Sequence, residues 1–298
     1  MIDRTAQVRL SPPATVVRQA DPDRFVLVMM APPARREALF ALLALNVEAA
    51  RIPETVSEPL LGAMRLRYWR DVIAAADPEA AATSGNPVAE ALVREVLATP
   101  DAASVGERRR LLDSLLDGWS EALGADPPAD GAAARRHAGA IGGSVWDLAG
   151  LLLGVMPSDG ETRAALRHVG TAWLLLGVAR ATPVLLRRGR VRLPLDALAR
   201  AGVSADAVLN GADRDRVGIR AGVAALTALA LAELTVAGAR RDRLDRRARP
   251  LLRQAIHGRH LARVLARHDH DPFAAGARLD HVPLLRLLLS TVTGGQGL

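Results

Sequence analysis

The chain has 298 residues, half of them hydrophobic, and a formal net charge of +7. That length supports one large domain or two small ones with a sizeable core. It has no cysteine, which excludes disulfides, thiolate metal sites and cysteine nucleophiles; all 39 of its basic residues are Arg, which excludes Schiff-base and P-loop lysine chemistry.

The apolar mass is Leu, Ala and Val, with only 3% aromatics. Leu and Ala favour helix, and β-branched runs are sparse, so the fold class expected is all-α. The opening stretch, from Met1 to Val17, has no continuous apolar core, so no secretory signal is expected there. Residues 1–20 are expected to be mobile, followed by a single helical domain over 21–293. Asp21-Pro22, Ser57-Glu58-Pro59 and Asn86-Pro87 each set a capping residue just before a first-turn proline. Ser104 with Glu107, and Ser158 with Glu161, fit capping boxes. These signals predict helices near 22–31, 33–51, 58–76, 87–98, 105–123, 131–153, 160–186, 214–238 and 244–267, with a shorter one near 282–291. Pro53 is expected to disrupt the end of the second of these. The run from Ala221 to Ala239 is weakly polar and contains Glu233, so it reads as a buried helix rather than a membrane span.

The charge favours anionic partners: lipid head groups, nucleic acid or diphosphates. Arg240 to Arg249 is the densest cluster, six Arg against two Asp. It lacks interleaved aromatics and any nucleic-acid module, so it reads as a solvated helix start and no nucleic-acid partner is expected. Asp113, Asp117 and Glu121 repeat every four residues, opposite a face made of Leu112, Leu115, Leu116 and Trp119. They read as a solvated face paired with Arg109 and Arg110. His257 and His260 have a spacing that can chelate zinc, yet read as ordinary surface histidines. There is no GxGxxG after a strand, no Walker loop, no HExxH and no GxSxG.

Four segments carry a resemblance: Arg36 to Leu45, His137 to Ser144, Gly170 to Arg180, and Arg180 to Pro194, RATPVLLRRGRVRLP. In order and spacing they resemble the squalene and phytoene synthase family over nearly the whole chain. The resemblance implies an isoprenoid-synthase-type helical bundle around a central cavity. In that family, carboxylates one turn apart on two facing helices hold magnesium, which neutralises prenyl diphosphates. Here the acids of the second motif fall on Ala181, Val184 and Leu185, and Leu174 and Gly177 stand at the family's Gln and Asn. In the first motif Ala50 and Arg51 stand near the paired aspartates and Glu54 near the last. An Arg at a magnesium site repels the ion; at 4 Å and an effective dielectric near 20, one unit-charge repulsion is about 4 kcal/mol.

Asn46 to Arg70 is similar to a subgroup of the same fold that serves as assembly factors for respiratory complex I and lacks the aspartate motifs. Asn46, Glu48, Val56, Ser57, Glu58, Gly62, Arg65 and Trp69 carry that similarity. It implies a non-catalytic protein whose partners are complex I subunits or assembly intermediates, with anionic lipid or a prenyl-type ligand in the cavity. The expected place is the cytoplasmic side of a bacterial membrane, bound peripherally. No catalytic residue, metal ligand or cofactor is expected. The candidate ligand- or partner-binding residues are Asn46, Glu48, Arg51, Glu54, Glu58, Arg65, Arg180, Arg187, Arg188 and Arg190; Glu48 with Arg51 also fits a plain i,i+3 ion pair. Arg187, Arg188, Arg190 and Arg192 are placed to hold an anionic head group without metal. The alternative is an active, magnesium-dependent head-to-head prenyltransferase, for which Glu48 and Glu54 are the only first-motif carboxylates.

Overall fold

The computed structural model describes residues 10–56, 58–98, 102–124, 126–213, 216–239 and 241–274. Among them there is no strand. The helices are α1 (Pro12–Ala20), α2 (Pro22–Met29), α3 (Pro33–Thr55), α4 (Pro59–Ala75), α5 (Pro78–Thr83), α6 (Pro87–Ala91), α7 (Ala102–Glu121), α8 (Gly131–Ala138), α9 (Ser144–Leu152), α10 (Gly160–Arg187), α11 (Leu195–Arg200), α12 (Ala205–Leu209), α13 (Val217–Gly238), α14 (Arg249–Leu252) and α15 (Gln254–Arg267). Wider π-type turns at Leu92–Leu97 and Gly139–Gly143 extend α6 and join α8 to α9.

Most starts are where the capping residues put them. Asp21 Oδ1 accepts from the Arg24 amide at 3.0 Å, and Asn86 Oδ1 from the Val88 and Ala89 amides at 2.9 and 3.2 Å. Both proposed capping boxes are corrected. The cap of α10 is Asp159, not Ser158, with Oδ1 3.0 Å from the Thr162 amide. α7 begins two residues before Ser104, and Glu107 turns instead to Arg110 and Arg163. Residues 12–20, expected to be mobile, form α1, whose Ala14 and Val17 are buried against α3. Pro53 does not break α3, which runs on to Thr55. Proline in the last turn removes one backbone bond only, and Thr55 Oγ1 donates to the Arg51 carbonyl at 2.9 Å. The Arg-rich run is not a helix start: Arg241–Arg243 and Arg246–Ala248 are short 3₁₀ turns ahead of α14. Ser57 and the helix expected near 282–291 lie outside the described residues.

α10 is the central helix, packed against α13, α9, α15 and the Gly139–Gly143 turn. The last contact is backbone on backbone. A Cβ built on Gly170 would stand 2.1 Å from the Gly142 carbonyl oxygen, and one on Gly142 2.2 Å from that of Gly170. Only glycine at both positions lets the helices approach so closely, which explains the GAIGG and GTAW segments physically. α10 and α13 are long and apolar enough by length and composition to cross a membrane. Here they pack on each other as core helices, and α13 buries Glu233 against His168 at 2.6 Å and against Arg135. Burial pushes the Glu233 carboxyl upward, but the hydrogen bonds from His168 and Arg135 outweigh it and hold the group below the usual carboxylate range. Asp147, fully buried on α9, is held by Arg163 (2.7 and 2.9 Å) and Arg167 (2.7 Å), pinning α9 to α10.

Candidate functional site

A cavity of about 390 Å³ opens between α3, α7, α8, the Gly139–Gly143 turn and α10. Its walls are apolar: Trp119, Ile141, Leu174, Leu175, Val178 and Leu226. Asn46, buried on α3, accepts from Trp119 Nε1 at 3.2 Å and so sets the indole against that wall. Ala50 on α3 faces the cavity, as do Ala181 and Leu185 on α10. These are positions where the resemblance calls for carboxylates, and none carries a donor atom. Val184, the third second-motif position, is exposed.

The charged groups gather at the mouth and bind one another. Arg188 Nη1 stands 2.9 Å from Glu54 Oε2, a pair with both side chains a little under half exposed. Two residues past the end of α10, Gly189, whose φ of +68 favours glycine, reverses the chain, with the Arg190 amide bonding back to the Leu185 carbonyl at 2.9 Å. That reversal aims two guanidinium groups at the C-terminal end of α7. Arg190 donates to the Ala122 carbonyl at 2.7 Å, and Arg192 to the carbonyls of Ala122 (2.7 Å), Gly124 (2.6 Å) and Asp126 (3.1 Å). The end of a helix leaves its last carbonyls unpaired and carries partial negative charge, so two arginines are the natural cap. Burial, and then the neighbouring charge of Arg190, lower the pKa of Arg192. His137 Nδ1 lies 3.3 Å from Glu121 Oε2 at the same rim; burial, with Arg192 adding to it, lowers its pKa despite the carboxylate.

Of the ten candidate residues, the structure brings Glu54, Arg188 and Arg190 together at this mouth. Glu48 and Arg51 form the plain helix-surface pair at 3.4 Å. Glu58 is exposed just before α4, without a capping side-chain bond. Arg65 donates to Thr55 Oγ1 at 3.2 Å. Arg180 is outside the lining, 3.7 Å from Asp23 and over the Trp173 ring. Arg187 is exposed at the end of α10. Sequence reasoning missed Glu121, His137 and Trp119. Asp113, Asp117 and Glu121 are exposed, as a solvated face requires, and Glu121, in the last turn of α7, also borders the cavity rim; the expected partners differ, since Asp117 pairs with Arg70 at 2.7 Å and Arg110 with Glu107. His257 is corrected as well. It is buried rather than on the surface, its ring 6.2 Å from that of Trp173, and burial pulls its pKa down to about 4.

The magnesium that such a fold implies does not fit these residues. Two aspartate-bearing helices have become Ala50 on one side and Ala181 and Leu185 on the other, and the surviving Glu54 is held by a guanidinium. Among the described residues no three His, Asp or Glu side chains converge as metal ligands. What remains is an apolar pocket whose rim arginines are occupied by the protein itself.

The sequence profile of squalene/phytoene synthase matches residues 17–287. The chain belongs to the squalene/phytoene synthase family. Among solved structures, the family fold is seen in a dehydrosqualene synthase in complex with ligand, with a TM-score of 0.71 at 15% identity over 95% of both chains. A squalene synthase, HpnC from Alicyclobacillus acidocaldarius, gives 0.68 at 16% identity over 88% of this chain and 94% of that one. At those identities the likeness shows the fold. In sequence the chain is 27% identical over 189 residues to NADH dehydrogenase (ubiquinone) complex I, assembly factor 6, of Bos taurus, and equally so to that of Homo sapiens. The match takes in 63% of this chain and spans about half (54%) of those relatives' length.

Proposed function

We propose that this family member is a non-catalytic assembly factor for respiratory complex I that works by binding. The observation that carries the proposal is the Glu54–Arg188 ion pair across the mouth of a cavity walled by Ala50, Ala181 and Leu185. A diphosphate leaving group needs divalent cations or free cationic donors; the acids are gone, and Arg188, Arg190 and Arg192 already serve internal partners. Uncharged prenyl or acyl matter suits the remaining walls better than a diphosphate. The likeness to the complex I assembly factors supplies the partner class, complex I subunits or their assembly intermediates. The proposed place is the cytoplasmic face of a bacterial membrane, in peripheral contact with it, in keeping with the net charge of +7.

Two measurements test this. Deletion of the gene should lower NADH–quinone activity and leave partial complex I assemblies on native gels; full activity in the deletion strain removes the proposal. The purified protein, given farnesyl or geranylgeranyl diphosphate with magnesium, should release no pyrophosphate. Sustained magnesium-dependent release would return it to the catalysts.

A further inference from the structure

The stretch from Asn46 to Arg70 is only partly explained by the cavity. Its second half is α4, which is apolar on two faces. Gly62, Leu66, Trp69 and Ile73 are buried. Gly62 lies so close to the turn that follows α7 that a Cβ there would be 2.5 Å from Leu123 Cδ2. The opposite face shows Leu60, Leu61, Met64 and Tyr68 to solvent at 73, 51, 63 and 37% exposure. At helical spacing these four cover an arc of roughly 100°. Exposed Arg65 and Arg67 stand at the two edges of that arc. Large exposed apolar side chains scattered singly are ordinary; four on one arc of one helix are not.

We propose that α4 is the membrane-docking helix of this protein, lying in the plane of an anionic lipid surface. Leu60, Leu61 and Met64 enter the acyl boundary, Tyr68 sits at the interface, and Arg65 and Arg67 reach lipid phosphates along both flanks. Charge decides between occupants. A stripe edged on both sides by guanidinium, in a chain of net charge +7, matches acyl chains beneath a layer of phosphates. Asp71, paired with Arg67 at 2.7 Å, ends the apolar arc, so the N-terminal half of α4 goes deeper. The placement also serves the cavity. Arg65 bonds to Thr55, the neighbour of Glu54 at the mouth, and Leu123 beneath Gly62 adjoins the Ala122 and Gly124 carbonyls gripped by Arg190 and Arg192. A bilayer held by α4 therefore adjoins the opening of an apolar pocket, and an uncharged lipid can enter without crossing water. The inference rests on the proposal that the protein works at a membrane, and it names the surface.

The test is co-sedimentation of the full chain with vesicles of phosphatidylcholine alone and of an equal mixture with phosphatidylglycerol. Wild type should bind the anionic vesicles and release as salt is raised. Leu60→Ser with Met64→Ser, both exposed and so folded as wild type by circular dichroism, should weaken binding by about tenfold or more. Arg65→Gln with Arg67→Gln should lose the preference for the anionic mixture. Leu231→Ser with Val236→Ser, on the exposed side of α13, should bind as wild type. If the stripe variant still sediments like wild type, α4 is not the docking face, though another surface can be. If wild type binds neither vesicle, peripheral membrane contact itself fails. If wild type binds neither vesicle and the stripe variant instead abolishes self-association in light scattering, the stripe belongs to a second copy.

Discussion

The Gly170–Gly142 contact allows the tightest quantitative check of the structure. Replacing Gly170 with Ala adds a Cβ 2.1 Å from the Gly142 carbonyl oxygen, 2.7 Å from its carbonyl carbon and 2.9 Å from Trp146 Cβ. Two of these are backbone atoms, so no rotamer change can clear them, and α10 must move off the Gly139–Gly143 turn by about 1 Å to restore ordinary contact. Overpacking of this kind costs about 1–3 kcal/mol, and a backbone obstacle belongs at the top of that range. Helix propensity works the other way: Ala in a helix interior is favoured over Gly by about 1 kcal/mol. The net expectation is a loss of about 2 kcal/mol. Gly177, on the same helix, has nothing within 4 Å of its Cβ position. Gly177→Ala should therefore stabilise by about 0.5–1 kcal/mol. Urea denaturation of both variants reads the difference directly, as opposite shifts of the midpoint at constant slope. If both substitutions shift it the same way, the close packing of α10 against that turn is wrong.

Three further outcomes follow from the same side chains. His257 has a folded pKa of about 4, below the unfolded value near 6.5, because burial disfavours its charge more than the nearby Asp21 favours it, and His260 adds to the depression. Its neutral burial therefore stabilises the protein above pH 6.5, and that contribution falls away as pH drops toward 4. About 2 kcal/mol should vanish between pH 7.5 and 5 in urea titrations, and His257→Gln should flatten that part of the profile; an unchanged profile contradicts the burial. Asp147→Asn takes from the largely buried Arg163 one of its two carboxylates, leaving Glu107, and breaks a fully buried pair that also holds Arg167, so it should lower stability by about 2–3 kcal/mol. A loss under about 1 kcal/mol would mean that water already screens the site. Glu54→Gln removes the partner of Arg188 at low stability cost, about 1 kcal/mol or less for a pair this exposed. It should tighten magnesium-free binding of farnesyl diphosphate several-fold in calorimetry, and equal affinities would show that the pair does not guard the mouth.

Helix content, the caps at Asp21 and Asn86 and the loss of the metal-binding acids were all legible along the chain, because capping and periodicity act within a few residues and a missing carboxylate is missing in any fold. The family could be named from segment order, which the match over residues 17–287 bears out. Ion pairing was legible only where it is local, as at Glu48 and Arg51. Tertiary structure decided the rest. Sequence spacing could not bring Arg188 to Glu54, or send Arg190 and Arg192 to the end of α7 rather than to a ligand; those contacts close only when distant helices pack. Nor could it separate the two apolar faces of α4, bury His257 or bring Glu121 to the cavity rim, because helical periodicity says which residues share a face and not what that face meets.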